Sequence, residues 1–447
     1  GADKVRGGQG RADVWKKGCF AWEYKGKHAN LDKAYQQLLQ YREALENPPL
    51  LIVSDTDQII IHTNFTNTIK RTYPIALDEL VKPESLTLLR NAFNHPDVLR
   101  APVTPAQVTQ DAAEQFARLA ELLRQYGHPS QTIAHFLIRL LFCLFAEDVE
   151  LLPNKLFSQL VKNTAKLPKA FVGQLGELFA RMKDGGYFGS DLIPYVDGGL
   201  FDSATVLELD SDGLRVLMEA AALDWSSIEP SIFGALFERS LDPDKRSQLG
   251  AHYTSKDDIL LVVEPVLMAP LRRRWDLIQA RARELAAQRD KLPAKSRVQR
   301  DALQKEIDKL LRGFAEEIAR VQVLDPACGS GNFLYVALRQ LLDLWKQVSS
   351  LLSELGSTFL VPLPGASPYP TQLHGIEINP YAYELAQATI WIGYIQWMRE
   401  NGFGFPSEPI LRPMETIMQM DAILAYDANG QPVEPGWPQV DVIIGNP

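Results

Sequence analysis

Leu324-Asp325-Pro326-Ala327-Cys328-Gly329-Ser330-Gly331-Asn332-Phe333 joins a short apolar run to a helix-like segment, and its reading decides the fold. Gly329 and Gly331 permit a tight turn and a close backbone approach that side chains would obstruct. The apolar run at 321–324 predicts a strand, which puts the loop at a strand's C-terminal edge, where open parallel sheets bind ligands. Backbone N–H groups of Ser330 to Asn332 are then placed to meet a ligand carboxylate, helped by the positive end of the following helix. Asp325 either accepts a hydrogen bond from a ligand amino group or organises the loop.

Outward from this loop the pattern repeats. Gly375-Ile376-Glu377-Ile378-Asn379-Pro380 reads as a second strand ending in an acid, and a strand-end carboxylate suits two ribose hydroxyls. Met420-Asp421-Ala422 offers Asp421 as an acceptor for an exocyclic adenine amine. Val440-Asp441-Val442-Ile443-Ile444-Gly445-Asn446-Pro447 reads as a strand entering a loop.

Composition sets the outer bounds. A chain of 447 residues exceeds one ordinary core, so two or three domains are expected. The formal charge of −9 argues against a uniformly basic coat but leaves room for a local positive groove. Three cysteines, Cys19, Cys143 and Cys328, lack zinc-site spacing and point to a reducing, cytoplasmic setting. The strongest apolar run, 140–146, is flanked by charge and reads as a core helix, so no membrane association is expected.

Three modules emerge. Residues 1–105 alternate strand-like (19–24, 50–54, 58–63) and helix-like (31–45) runs, a small α/β domain. Residues 106–245 are dominated by helical periodicity and read as a connector with its own packed core. Residues 246–447 open with charged helices at 272–316, read as a solvated face, and continue into an α/β core. In the first module Asp13 precedes Glu23-Tyr24-Lys25 by ten residues, and a hairpin over that interval brings the two acids together. Such a pair can hold Mg2+, with Lys25 orienting water or stabilising charge in phosphodiester cleavage.

The 324–333 loop, Glu377, Asp421 and terminal Asn446-Pro447 together resemble the S-adenosylmethionine-dependent, adenine-N6 DNA methyltransferases, whose catalytic loop is Asn-Pro-Pro-Tyr or Asn-Pro-Pro-Phe. The resemblance implies a cofactor site formed by Asp325, Ala327, Gly329, Gly331, Asn332, Phe333, Glu377 and Asp421. Leu249-Gly250-Ala251-His252-Tyr253-Thr254-Ser255 resembles a further family segment that approaches the cofactor through Tyr253 and Thr254. In the resembled enzymes the residues matching Asn446 and Pro447 hold the amine of a flipped adenine.

The wider arrangement resembles single-polypeptide type II restriction-modification enzymes of the type IIL/IIG class, with a methyltransferase module like that of the MmeI-like family. That implies a restriction-endonuclease-like N-terminal α/β domain, a helical connector and a partial Rossmann-like methyltransferase domain. It also implies Mg2+ ligands Asp13 and Glu23, a catalytic Lys25, double-stranded DNA as partner, and a target-recognition domain beyond residue 447. On this reading the 447 residues alone have little methyltransferase activity. The competing expectations are an adenine methyltransferase with a noncatalytic nuclease-like clamp, and a nonenzymatic scaffold that binds DNA or the cofactor.

Overall fold

The computed structural model describes residues 12–27, 29–196, 199–203, 205–230, 254–405, 410–412 and 414–446. The N-terminal unit is built on a five-stranded sheet in the order β1 (Val14–Lys16), β2 (Phe20–Tyr24), β3 (Leu50–Ser54), β4 (Gln58–Thr63), β5 (Thr72–Ala76). Only β2 and β3 run parallel; the other neighbours are antiparallel. The helix Leu31–Tyr41 makes the crossover between the parallel pair, started by Asn30, whose Oδ1 accepts the Lys33 amide at 2.9 Å. The helical run expected over 31–45 tightens after Tyr41 into a 3-10 turn, Arg42–Leu45, and Glu46 and Asn47 then adopt positive φ.

Strand alternation divides this sheet into two faces. Phe20 and Trp22 pack with Leu50, Ile52 and Ile61 on one side, while Ala21 packs with Leu51, Val53 and the helix residues Ala34 and Leu38 on the other. Glu23 and Lys25 follow Ala21 at steps of two, so the sequence itself assigns them to the helix-covered face.

After helix Pro83–Asn94, whose Ala92 joins the Phe20 and Trp22 face, five further helices follow among the described residues up to 230: Pro105–Gln125, Ser130–Asp148, Leu156–Thr164, Pro168–Asp184 and Ser211–Ala221. The second is long and apolar enough to cross a membrane, yet it is buried nearly all round as the hub of this region. Its Arg139 is buried because its guanidinium donates to three carbonyls, those of His135, Ser203 and Thr205, and stacks over Phe179 at 4.7 Å. The hydrophobic core runs on from Val108 in this region to Ile444 near the chain end, so the helices and the second sheet share one interior. The expected boundary at residue 245 lies among residues 231–253, outside those described.

Helices Ala269–Lys291 and Arg297–Arg320 pack side by side and lead into the second sheet, in the order β10 (Ile417–Gln419), β9 (Leu373–Glu377), β8 (Val323–Asp325), β13 (Val442–Ile443). All three pairings are parallel. Two short antiparallel hairpins, β6 (Gly186–Phe188) with β7 (Asp191–Ile193) and β11 (Ala425–Tyr426) with β12 (Pro432–Val433), stand outside both sheets. Helices Asn332–Glu354 and Pro380–Glu400 supply the crossovers and pack against each other. Their contact is close at Gly393, where a Cβ would sit 2.1 Å from the buried Tyr335 ring. Gly393→Ala is expected to destabilise the protein by about 3 kcal/mol through overpacking, measurable as a lower urea midpoint. An unchanged midpoint would show that Tyr335 can give way.

The N-terminal unit meets the rest through polar contacts. Lys346 is buried and donates to the Leu39 carbonyl at 3.1 Å, to Asn401 Oδ1 at 2.8 Å and to Glu43 at 2.7 Å. Gln40 donates to the Gly402 carbonyl at 2.8 Å, and a Cβ on Gly402 would meet the Gln36 carbonyl oxygen at 2.1 Å. Beside these polar contacts the seam holds the Tyr41–Phe359 ring contact at 5.3 Å, and Ile69 and Val103 pack against the main core.

Candidate cofactor and nuclease sites

Because every strand of the second sheet points the same way, its C-terminal ends form one edge. Four strands deliver four of the expected residues there, in spatial order: Asp421 beyond β10, Glu377 ending β9, Asp325 ending β8, and Asn446 beyond β13. The chain leaves β8 toward β9 and β10 on one flank and returns to place β13 on the other. That reversal makes the crevice at β8 the position where open α/β sheets bind ligands.

The loop after β8 is held by its own hydrogen bonds. Gly331 has φ of +81° and starts the helix Asn332–Glu354, and its amide closes the turn on the Cys328 carbonyl at 2.7 Å. A Cβ on Gly331 would lie 3.0 Å from Ala386 Cα, so glycine here lets two crossover helices approach. Around Gly329 the space is open, with nothing within 4 Å of a built Cβ. Ala327 is exposed at the loop's tip, whereas Phe333 is buried in the core. Asn332 is buried, and its Oδ1 has no hydrogen-bond partner among the described residues. A buried orphan acceptor beside an open glycine loop fits a ligand that brings donors.

Glu377 binds the two loops together. Its Oε2 accepts the Gly329 amide at 2.9 Å and its Oε1 accepts the Asn379 amide at 2.7 Å. Each oxygen keeps a further lone pair for a ligand hydroxyl. Burial raises the Glu377 carboxyl above its ordinary range, against the lowering effect of those amides. Asp421 Oδ1 accepts the amides of Ile423 at 2.8 Å and Leu424 at 3.2 Å, so one oxygen is committed to its own turn.

Asp325 is almost completely buried and accepts the Ala327 amide at 3.1 Å. Gly445, at φ of +155°, packs on it so closely that a Cβ there would lie 2.5 Å from Asp325 Oδ1. Sequence reasoning passed over Gly445, although a glycine directly before the expected catalytic Asn was its available signal. Asn446 follows at the surface, and Pro447 lies outside the described residues. Thr254 lies just before Ser255, the N-cap of helix Lys256–Val263, which packs against Asn332–Glu354; Tyr253 and His252 lie outside the described residues.

Burial pushes the Asp325 carboxyl up to about 7, against the Ala327 amide and with a further push from Glu377. The native state therefore keeps a proton that the unfolded chain releases near pH 4, so stability falls as pH rises from about 4 to about 7. Asp325→Asn is expected to shrink that fall, measured by urea unfolding at each end of the window. The same fall in both proteins would contradict the assignment.

In the N-terminal unit the β1–β2 register, Val14 opposite Trp22, continues to set Asp13 opposite Glu23. Asp13 is exposed, and its Oδ2 accepts the Tyr24 amide at 2.8 Å. Glu23 is buried; Oε1 pairs with Lys25 Nζ at 2.8 Å while Oε2 has no partner among the described residues. Lys25 also reaches Gln37 Oε1 at 3.4 Å on the crossover helix. The three expected residues are thus together, and the orphaned Glu23 oxygen fits a cation. Among the described residues there is no group of three or more His, Cys, Asp or Glu side chains placed to hold a metal.

Comparison with known families follows this architecture along the chain. Residues 1–126 match the MmeI N-terminal domain, 131–201 the MmeI helicase spacer domain, and 299–426 the MmeI DNA-methyltransferase domain. The chain belongs to the MmeI-like family. DNA methyltransferase A of Bacillus subtilis (strain 168) is 28% identical over 389 residues, covering 84% of this chain and 40% of that protein. A Methanocaldococcus jannaschii protein, provisionally named a type II restriction enzyme and methyltransferase, is 24% identical over 300 residues, 58% of this chain and 24% of its own length. The solved structure of the type IIL restriction-modification enzyme MmeI in complex with DNA superposes with a TM-score of 0.55 at 27% identity, covering 72% of this chain and 40% of that one. The chain therefore spans less than half the length of these relatives.

Proposed function

We propose that this MmeI-like chain contributes to a DNA restriction-modification enzyme that methylates adenine N6 and cuts DNA. The observation that carries the methyltransferase reading is the row Asp421, Glu377, Asp325 and Asn446 along one sheet edge, with an orphaned Asn332 oxygen beside it. S-adenosylmethionine, when bound, supplies an electrophilic methyl group on a sulfonium. Glu377 accepts ribose hydroxyls, Asn332 and the glycine loop meet the methionine end, and Asp421 offers its remaining acceptor capacity to adenine. Asp325 acts as a positioning residue by supporting Gly445, and Asn446 accepts from the target amine, fixing it for attack.

For cleavage, Asp13 and Glu23 would hold Mg2+, which supplies charge neutralisation at a phosphodiester when bound. Lys25 is held by Glu23 and Gln37 in reach of the same place. A second reading keeps the methyltransferase and makes the N-terminal unit a noncatalytic DNA clamp; the exposure of Asp13 and its bond to the Tyr24 amide favour it.

Full-length protein incubated with duplex DNA, Mg2+ and labelled S-adenosylmethionine separates these readings. Label on adenine together with Mg2+-dependent cuts is expected. Methylation without cuts selects the clamp, and no label on adenine defeats the proposal.

A further inference from the structure

Asp421 sits between two anchors. On one side the Met420 amide donates to the Glu377 carbonyl at 3.1 Å, tying the end of β10 to the end of β9. On the other, the indole Nε1 of Trp437 donates to the Ala422 carbonyl at 2.8 Å across 15 positions of chain. Between Ala422 and Trp437 the chain leaves the sheet as a small lobe built on the β11–β12 hairpin, whose turn Asp427 closes by accepting the Asn429 and Gln431 amides at 2.8 Å each. Trp437 is the clasp at the neck of that lobe.

Satisfying the indole does not by itself require this bond. Trp437 is 43% exposed, so water could serve its N–H as well as the carbonyl does. What the bond adds is position. Pro438 confines the Trp437 backbone to extended conformations, and the buried Pro435 fixes its own φ two residues earlier, so the arm carrying the indole is stiff. With both flanks held, Asp421 turns Oδ1 to the amides of Ile423 and Leu424 and keeps its remaining acceptor capacity at a fixed station relative to Glu377.

We infer that Trp437 is a positioning residue for cofactor recognition, on the reading that Asp421 accepts from adenine and Glu377 from ribose. By clasping Ala422 it holds the Asp421 carboxylate where an exocyclic amine arrives once Glu377 has the sugar. It thereby sets selectivity for a 6-aminopurine over a 6-oxopurine, which presents an acceptor at that place and leaves the carboxylate unpaired.

Calorimetric binding of S-adenosylhomocysteine and of its deaminated counterpart, S-inosylhomocysteine, to the full-length protein tests this. Wild type should bind the adenosyl ligand roughly tenfold or more tightly than the inosyl ligand, the scale of a hydrogen bond to a charged group. Trp437→Phe keeps a ring and removes the donor. It should lose roughly threefold to tenfold in affinity for the adenosyl ligand and nothing for the inosyl ligand, with the fold checked by circular dichroism. In Asp421→Asn, where the acceptor is already altered, adding Trp437→Phe should change discrimination no further. Equal losses for both ligands, or wild-type discrimination in Trp437→Phe, would overturn the role of Trp437 while leaving the cofactor reading standing. Wild type that binds neither ligand, or both equally, defeats the reading of Asp421 itself and the role of Trp437 with it.

Discussion

Gly445→Ala is expected to lower methyl transfer by the full-length protein roughly 10²-fold or more, the scale of effect produced by a misplacement of about 1 Å near reacting groups. The backbone at Gly445 has φ of +155°, which a side chain disfavours, and a Cβ would stand 2.5 Å from Asp325 Oδ1 and 3.1 Å from its Cγ. Neither neighbour can yield easily. Asp325 is enclosed and tied to Ala327, and the cofactor loop turns on that contact. The displacement must then pass to Asn446. Labelled-methyl transfer measured beside cofactor affinity distinguishes the cases: a lost rate with retained binding places the damage at Asn446, whereas unchanged transfer would sink the positioning role.

Glu23→Gln should depress DNA cleavage on the order of 10³-fold while leaving methylation intact, since losing charge stabilisation of several kcal/mol has that kinetic size. The substitution keeps the volume of a buried side chain but removes the charge that pairs with Lys25 and leaves Oε2 available to a cation. Cutting at the wild-type rate would defeat the assignment of Glu23 as a ligand. Equal losses of cutting and methylation would instead point to a folding defect.

Local pattern carried much of this architecture. Phe20–Tyr24 and Gln58–Thr63 announce themselves by β-branched and aromatic residues, Leu50–Ser54 by an unbroken apolar run, and Leu373–Glu377 by Gly-Ile ending in an acid. The glycine loop was legible because Gly329 and Gly331 answer a local backbone need. Ile417–Gln419 was not, because three residues are too few for a period and its strand character comes from pairing with β9. Gly445 against Asp325 and Lys346 against Glu43 join residues far apart in the chain, and no window of sequence contains either contact. The orphaned oxygens of Glu23 and Asn332 are properties of enclosure, which only the folded arrangement creates.

The seam bridged by Lys346 also shapes how the molecule comes apart. The two small cores of the N-terminal sheet are not continuous with the interior that links the helices to the second sheet. Beside Tyr41, Phe359, Ile69 and Val103, separation at the seam exposes polar groups that water can satisfy, so the two bodies share little of the heat-capacity change that makes unfolding all-or-none. Heating should therefore reveal two cooperative blocks, with the N-terminal sheet able to open while the methyltransferase-like body keeps its order.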